Sequence, residues 1–100
     1  NIIYINIIMK TIGRYTYKKS NVAGKKLVVV VNGKTINFGD SSMDHYKDKT
    51  GIWKSKDHLD EKRRKSYLAR SGGIKRKDGT LTKNDPTSSN YHSRKIFWNG

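Results

Sequence analysis

Residues 25–40 of this chain are KKLVVVVNGKTINFGD, and this stretch predicts a β-hairpin. The four consecutive valines are branched at Cβ and favour an extended strand. Asn32-Gly33 is the pair that best tolerates a positive φ at both positions of a type I′ turn. A two-residue turn at this point fixes the register of the two strands. The expected pairs are Val31 with Lys34, Val30 with Thr35, Val29 with Ile36, Val28 with Asn37 and Leu27 with Phe38.

The two faces of this hairpin differ in polarity, which indicates that one of them meets a core. The apolar face carries Leu27, Val29, Ile36 and Phe38. The other face carries Val28, Val30, Thr35 and Asn37. Because a single hairpin is only marginally stable in water, other segments must cover the apolar face. Ile52 and Trp53, in the loop that follows the hairpin, are candidates for this cover.

Composition limits the class of protein. One hundred residues with 33% hydrophobic content allow one small domain with a thin core. Lys and Arg number 22 against 8 Asp and Glu, a formal net charge of +14, so we expect an anionic partner: nucleic acid, an acidic protein surface or an anionic membrane. The chain has no cysteine, which excludes a disulfide-stapled secreted module, a thiolate metal site and a cysteine nucleophile.

Residues 1–24 predict an arm that crosses a surface. Asn1 to Met9 are rich in isoleucine and favour a strand; they are too short to span a membrane and lack the features of a signal peptide. The chain does not begin with Met, so the sequence leaves open whether Met9 is the natural start and residues 1–8 are native. The remainder of the arm has no sustained period, although Tyr15 and Tyr17 alternate as they would on a short strand.

The clearest helix signal covers Asp57 to Arg70. Asp57 is the predicted N-cap, acidic residues occupy the first turn, and Gly72-Gly73 ends the helix. The apolar stripe of this helix is narrow, so we expect few contacts with the hairpin and a largely accessible basic surface. Hairpin and helix together form the predicted core, residues 25–73.

Residues 74–100 predict a second arm, interrupted by turn signals at Asp78-Gly79 and at Pro86. Thr87 or Ser88 could then cap a short helix. An extended tail inserted into a neighbouring molecule is the alternative, and the sequence leaves both open. The predicted fold class is α+β: a small single domain with a β-hairpin packed by one basic α-helix, flanked by irregular N- and C-terminal arms.

A run of cations without an acidic residue is the strongest chemical signal in the chain. It consists of Lys62, Arg63, Arg64, Lys65, Arg70, Lys75, Arg76 and Lys77. Clustered cations suit phosphate groups or an acidic protein surface, and Arg grips an oxyanion in a bidentate manner. The alternative is a solvated helix face. Because no zinc-finger, RNP or helix-turn-helix pattern accompanies the run, any nucleic-acid contact is expected at the backbone, without sequence preference.

Signals for catalysis and metal binding are weak. Asp44-His45 with Asp48, and the acidic residues around His58, have generic spacing in a strongly positive chain, so capping and surface roles are preferred to metal ligation. No nucleophile elbow or phosphate-cradling glycine loop is present in the sequence. We therefore predict a protein that is not an enzyme, with no cofactor, no metal site, no small-molecule substrate and no transmembrane segment.

Four segments of the chain carry a family resemblance. They are VVNGKTINFGD at Val30 to Asp40, HLDEKRRKSYLAR at His58 to Arg70, KNDP at Lys83 to Pro86 and NYHSRKIFW at Asn90 to Trp98. In combination they resemble a family of small basic proteins of unknown function encoded by large nucleocytoplasmic DNA viruses of algae and protists, over roughly Lys26 to Trp98. The resemblance implies a viral origin, a place in the virus particle and no catalytic residues. Two departures are the longer segment before Lys26 and His92, where an aromatic is expected.

Two functions follow from charge, predicted fold and resemblance. The first is a non-enzymatic structural component of a large DNA virus particle, a minor capsid or cementing protein that bridges larger capsid proteins with acidic surfaces. It would be found in the virion, and in the host cytoplasm during assembly, and would dock through its arms and through Tyr15, Tyr17, Tyr91 and Trp98. The alternative is a sequence-nonspecific nucleic-acid-binding protein that contacts the viral genome through the basic run.

Overall fold

An antiparallel sheet of four strands, in the order β1-β2-β3-β4, forms the centre of the fold. This computed structural model describes residues 9–100. The strands are β1 (Met9–Ile12), β2 (Tyr15–Lys19), β3 (Lys25–Val31) and β4 (Lys34–Asp40). Each strand pairs with the next one along the chain, so the sheet is a meander.

The hairpin predicted from residues 25–40 is confirmed as β3 and β4. All five predicted pairs are present, and Asn32 and Gly33 have φ angles of 52° and 79°, as a type I′ turn requires. The face predicted to be apolar is buried, and the opposite face is half-buried or exposed. Local sequence therefore fixes this part of the sheet.

The N-terminal segment differs from the predicted irregular arm. From Met9 onward it forms β1 and β2, joined by a tight turn in which Gly13 has a φ of 63°, and β2 pairs with β3. The physical reason is that the hairpin needs a neighbour to cover its apolar surface, and Tyr17 of β2 supplies a buried ring to the core. The strand predicted for Asn1 to Met9 lies outside the described residues, apart from Met9 itself.

Two helices follow the sheet, α1 (Glu61–Ser71) and α2 (Ser89–Phe97), with single 3₁₀ turns at Lys54–Lys56 and Thr82–Asn84. The prediction that Asp57 caps α1 is wrong. Asp60 is the N-cap, and its carboxylate accepts hydrogen bonds from the backbone N–H groups of Lys62 and Arg63. Leu59 has a φ of 56°, which is not helical, so the chain cannot begin the helix earlier.

The helix that covers the sheet is α2 and not α1, a correction to the predicted packing by one basic helix. Eight apolar side chains form the buried core: Tyr17, Leu27, Val29, Val31, Ile36, Phe38, Ile96 and Phe97. The last two belong to α2, whose N-cap is Ser88, one of the two predicted caps. The C-terminal segment is therefore part of one small compact α+β domain. Of the two alternatives for this segment, the short helix capped by Ser88 is confirmed, and its packing on the sheet corrects the prediction of an irregular arm.

α1 is held mainly through α2. The Arg94 guanidinium donates hydrogen bonds to the carbonyl of Leu68 (2.7 Å) and to Oγ of Ser71 (2.6 Å), at the C-terminal end of α1. A cation is favourable there because the last carbonyls of a helix lack partners and carry partial negative charge. The rings of Tyr67 and Trp98 also stack, with centroids 4.1 Å apart.

The loop between β4 and α1 folds over one end of the hairpin. Ile52 and Trp53 pack against the core, as predicted, and the Trp53 indole N–H donates to the carbonyl of Lys26 at 2.8 Å. Asp48 orders the loop because its carboxylate accepts hydrogen bonds from the backbone N–H groups of Thr50 and Trp53. This loop brings His45 and Asp57 next to β3, where they form part of the site described below.

Candidate anion-binding cleft

One face of α1 presents cations to a cleft. Asp60 fixes the rotation at which α1 begins, and the helical period then places residues 62, 63, 66, 67 and 70 on a common face. Lys62, Arg63 and Arg70 lie on this face and line the cleft. Between them stand Ser66 and Tyr67, which add a hydroxyl and an aromatic wall.

The cleft, about 710 Å³ in volume, is bounded by α1, by α2 and by the end of the β3-β4 hairpin with the loop after it. Lys25 and Lys26 extend its basic lining on the sheet side. Its carboxylates are Asp40 and Asp44, so five Lys and Arg side chains face two acidic ones and leave an excess of three positive charges. Such a lining attracts anions and repels cations.

Lys26 is a buried cation in the wall of this cleft, with 2% of its surface exposed. Its Nζ donates to Nδ1 of His45 at 2.8 Å, and Nε2 of His45 donates to Oδ1 of Asp57 at 2.6 Å. The proton of the imidazole is therefore on Nε2, since Nδ1 must accept. His45 also stacks on Phe97, with ring centroids 4.6 Å apart, and this contact holds the imidazole in place.

A glycine in β4 makes the burial of Lys26 sterically feasible. Gly39 has a φ of 79°, and a Cβ at this position would lie 2.7 Å from Cε2 of Phe97 and 3.1 Å from Cβ of Lys26. Without that atom, Phe97 and the stem of Lys26 close over the strand end. The Lys26 ammonium then lies 5.0 Å from the centre of the Phe97 ring, close enough for a cation-π contact.

The pKa values of Lys26 and His45 follow from this burial. Burial, and in second place repulsion from Lys56, lower the pKa of Lys26 from 10.5 to about 8, against the attraction of Asp44, Asp40 and Asp48. Burial and the Lys26 charge also lower the pKa of His45, although Asp57 acts in the opposite direction. At pH 7 Lys26 is therefore an ammonium and His45 a neutral imidazole.

The predicted basic run divides into three groups in the structure. Lys62, Arg63 and Arg70 line the cleft, as described. Arg64 points away from the cleft, because its guanidinium donates to the carbonyls of Trp98 (3.0 Å) and Asn99 (2.9 Å) and pairs with Glu61. Arg64 thus ties the chain end to α1.

Arg76 also has an intramolecular role. Its guanidinium pairs with Asp85 at 2.6 Å and donates to the hydroxyl of Thr87 at 3.2 Å, which closes the turn region before α2. Lys65, Lys75 and Lys77 are exposed and do not line the cleft. The structure therefore brings together only part of the predicted cluster.

The four predicted docking aromatics all contact other side chains of the same domain. Tyr17 is 2% exposed and hydrogen-bonded to His92, so it is not available at the surface of this fold. Tyr15, Tyr91 and Trp98 are half-buried. Tyr15 meets the edge of His92, as Tyr91 does, and Trp98 stacks on Tyr67.

Sequence reasoning did not identify Lys25, Lys26, His45 and Asp57 as site residues. The available signal for the first two was a pair of cations at the start of an otherwise apolar strand. His45 and Asp57 belong to the Asp-His patterns for which surface and capping roles were preferred, and the structure corrects this for His45, which is buried. Their approach to Lys26 depends on the path of the loop, which no local pattern predicts.

Comparison of the chain with protein-family models, with curated proteins and with solved structures gives no match. Within residues 9–100, no group of three or more His, Asp or Glu side chains is arranged to hold a metal ion. In the same part of the chain, neither helix has the length and apolarity needed to cross a membrane.

Proposed function

We propose that this protein binds the phosphate backbone of nucleic acid without sequence preference, through the basic cleft and the α1 face that lines it. The observation that carries the proposal is the convergence of Lys62, Arg63 and Arg70 from α1 with Lys25 and Lys26 from β3 on one concave surface. Nucleic acid supplies closely spaced negative charge, and cations that neutralise it release counterions, which favours binding.

The architecture of the cleft favours backbone contact over base reading. α1 is short, with 11 residues, and its cleft-facing side chains are cations with Ser66 and Tyr67 between them. Arg and Lys that contact phosphate position a protein on the strand and carry no sequence information themselves. Binding of this kind depends strongly on salt and is alike for unrelated sequences.

A second candidate is the structural role in a virus particle, as a minor capsid or cementing protein that meets acidic surfaces of larger capsid proteins. The observation that favours it is the presence of Met43, 57% exposed, and Ile74, 49% exposed, in the lining of the basic cleft. Apolar side chains next to cations suit an acidic protein segment better than bare phosphate. Because the N- and C-terminal segments of residues 9–100 form β1, β2 and α2 of the domain, such bridging by this part of the chain would use the surface of the folded protein.

The test of the first proposal is a salt titration of binding to fluorescent oligonucleotides of several unrelated sequences. The expected result is a log affinity that falls linearly with log salt concentration. Arg63→Ala and Arg70→Ala are each expected to weaken binding to every sequence and to reduce the salt slope by about 1. Lys65→Ala is the matched control, since Lys65 is an exposed cation of the same helix outside the cleft.

Two results would contradict the nucleic-acid proposal: binding that does not respond to salt, or equal losses for Lys65→Ala and Arg63→Ala. The second candidate is tested by stepwise disruption of virus particles, with the protein followed by mass spectrometry. Fractionation with the capsid shell, unchanged by nuclease, would support it. Release together with the genome on nuclease treatment would support the first proposal instead.

A further inference from the structure

The ammonium of Lys26 is a buried charge with few acceptors. It has three N–H donors, and one of them is used, toward Nδ1 of His45. The other close group is the face of Phe97, 5.0 Å from Nζ to the ring centre. Among residues 9–100, no carboxylate forms a direct ion pair with Lys26. Charges that are buried to this degree are normally paired and fully hydrogen-bonded.

His45 and Asp57 cannot supply the missing acceptors. The only free lone pair of the imidazole, on Nδ1, is already used by Lys26, and its Nε2 proton is directed at Asp57. The Asp57 carboxylate is on the far side of the ring, and its Oδ1 also accepts from the backbone N–H of Asp48 at 2.9 Å. His45 and Asp57 therefore orient the ammonium of Lys26 without forming an ion pair with it. The two remaining N–H donors of Lys26 are available to a group that enters the cleft.

The rest of the cleft defines the chemistry of that group. Arg63, Arg70, Lys25 and Lys62 line the same cleft as Lys26, and with Asp40 and Asp44 also in the lining the net charge still favours an anion. Arg presents parallel N–H donors that match phosphate oxygens, and Lys contributes point charges. A volume of about 710 Å³ falls within the range of pockets that hold ligands the size of a nucleotide.

We propose that this cleft binds a phosphate monoester, the terminal phosphate of a nucleic-acid strand, with Lys26 as the buried donor and Arg63 and Arg70 as its outer partners. A monoester carries close to two negative charges at pH 7 and has three terminal oxygens, whereas a backbone diester carries one charge and has two. Gly39, Phe97 and Lys26 lie together in the cleft lining, and Lys26 is only 2% exposed. A terminal phosphate can approach such a buried ammonium more closely than a phosphate that is flanked by nucleotides on both sides.

This inference rests on the proposed nucleic-acid function, and one set of measurements separates the two. Binding of the full chain is measured to one short oligonucleotide in three forms: unphosphorylated, 5′-phosphorylated and 3′-phosphorylated. A nucleoside monophosphate and inorganic phosphate serve as competitors. We expect one phosphorylated form to bind about tenfold more tightly than the unphosphorylated one, as one or two added hydrogen bonds to a charged group imply. The monophosphate should compete with it, and inorganic phosphate should compete less well.

Lys26→Met is the decisive variant, and Lys18→Met is its matched control, an exposed lysine of β2 outside the cleft. Lys26→Met should abolish the preference for the phosphorylated strand, measured as the ratio of the affinities for the phosphorylated and unphosphorylated strands. Because Lys26 is also one of the cations of the cleft, the affinity for the unphosphorylated strand should fall as well, so the ratio is the deciding quantity. Lys18→Met should keep the preference.

Three results would overturn the terminal-phosphate site: no preference in the wild-type chain, an unchanged preference in Lys26→Met, or equal competition by inorganic phosphate, which would indicate a general anion site. If the unphosphorylated strand does not bind but the monophosphate does, the backbone proposal fails and the monoester site stands. If Lys26→Met does not fold, NMR of the wild-type chain decides the question. Saturable shifts of Lys26 and Phe97 signals on addition of the monophosphate are expected, and their absence would reject the site.

Discussion

The hydroxyl of Tyr17 lies 2.8 Å from Nδ1 of His92 and joins β2 to α2 across the core. Nε2 of His92 donates to the carbonyl of Pro86 at 2.6 Å, so Nδ1 is the acceptor and the Tyr17 hydroxyl is the donor. Burial lowers the pKa of His92 and raises the pKa of Tyr17, which keeps both groups neutral at pH 7. This bond secures the helix over a sheet that would otherwise have an open face.

Replacement of Tyr17 by Phe should destabilise the fold by about 1–3 kcal/mol, because Nδ1 of His92 would then be buried without a donor. The measurement is the free energy of unfolding from urea titration at pH 7. Tyr15→Phe is the matched control, since the Tyr15 ring also meets His92 but its hydroxyl has no hydrogen bond within residues 9–100. Equal losses in the two variants would show that the Tyr17–His92 bond does not contribute.

Stability at alkaline pH should report on Lys26. Its side chain titrates at about 8 in the fold and at 10.5 when free, so the unfolded chain binds more protons between these values. The free energy of unfolding therefore rises with pH across this window, by an amount on the order of 3 kcal/mol at 1.36 kcal/mol per unit of pKa difference. Below pH 8 the contribution of Lys26 is constant, because the residue is protonated in both states.

Urea titrations of the wild-type chain and of Lys26→Met at pH 7, 8, 9 and 10 isolate this contribution. The charged groups that act on Lys26, namely Lys56, Asp40, Asp44 and Asp48, are present in both proteins, so the difference between the two curves belongs to Lys26. The variant should gain less stability than the wild type between pH 8 and 10. Parallel curves would contradict the assignment of Lys26 as a buried ammonium.

The part of the fold that the sequence predicts is the part fixed by neighbours along the chain. Asn32-Gly33 and the valine run determine the hairpin and its register, and Ser88 determines the start of α2. The sequence did not predict that α2 covers the sheet, because this depends on Phe97 packing where Gly39 lacks a side chain. The alternation of Tyr15 and Tyr17 indicated the short strand that forms β2, but it did not show that β1 and β2 extend the sheet, because their order comes from pairing of β1 with β2 and of β2 with β3.

In the candidate site, too, the sequence predicts what neighbouring residues determine and does not predict what depends on tertiary packing. Cations clustered in sequence at Lys62 to Lys77 indicated an anionic partner, but helix rotation and ion pairing determine which of them face the cleft. Arg64 and Arg76 are adjacent in sequence to cleft or exposed cations and yet bind carbonyls or Asp85. Lys26 and His45 meet across 19 positions of sequence, and no local pattern encodes that contact.

Gly39→Ala should be strongly destabilising. The new methyl group would lie 2.7 Å from the Phe97 ring and would hold an L side chain at a φ of 79°. Gly33→Ala is the matched control, because Gly33 has the same φ and no atom within 4 Å of an added Cβ. We expect a loss of about 1 kcal/mol for the control from backbone strain alone, and a further 1–3 kcal/mol for Gly39→Ala from overpacking. The measurement is thermal unfolding of the two variants. If Gly39→Ala and Gly33→Ala lose the same amount of stability, the Phe97 ring moves aside without a cost in free energy.

Substitution of two neighbouring arginines should affect stability in one case and nucleic-acid binding in the other. Arg64→Ala removes the donors to the carbonyls of Trp98 and Asn99 and should lower the free energy of unfolding by about 1–2 kcal/mol. Its effect on nucleic-acid affinity should be small at temperatures where the variant stays folded, since Arg64 does not line the cleft. Arg63→Ala should show the opposite result, a stability within about 0.5 kcal/mol of wild type and a clear loss of affinity.

The pair is measured by urea titration and by oligonucleotide binding on the same protein samples. Because Arg63 and Arg64 are consecutive residues of α1, helix propensity and net charge change equally in the two variants. A difference between them therefore comes from the direction in which each side chain points. If both variants lose affinity to the same extent with no change in stability, the contact surface is the whole basic helix and the cleft has no special role.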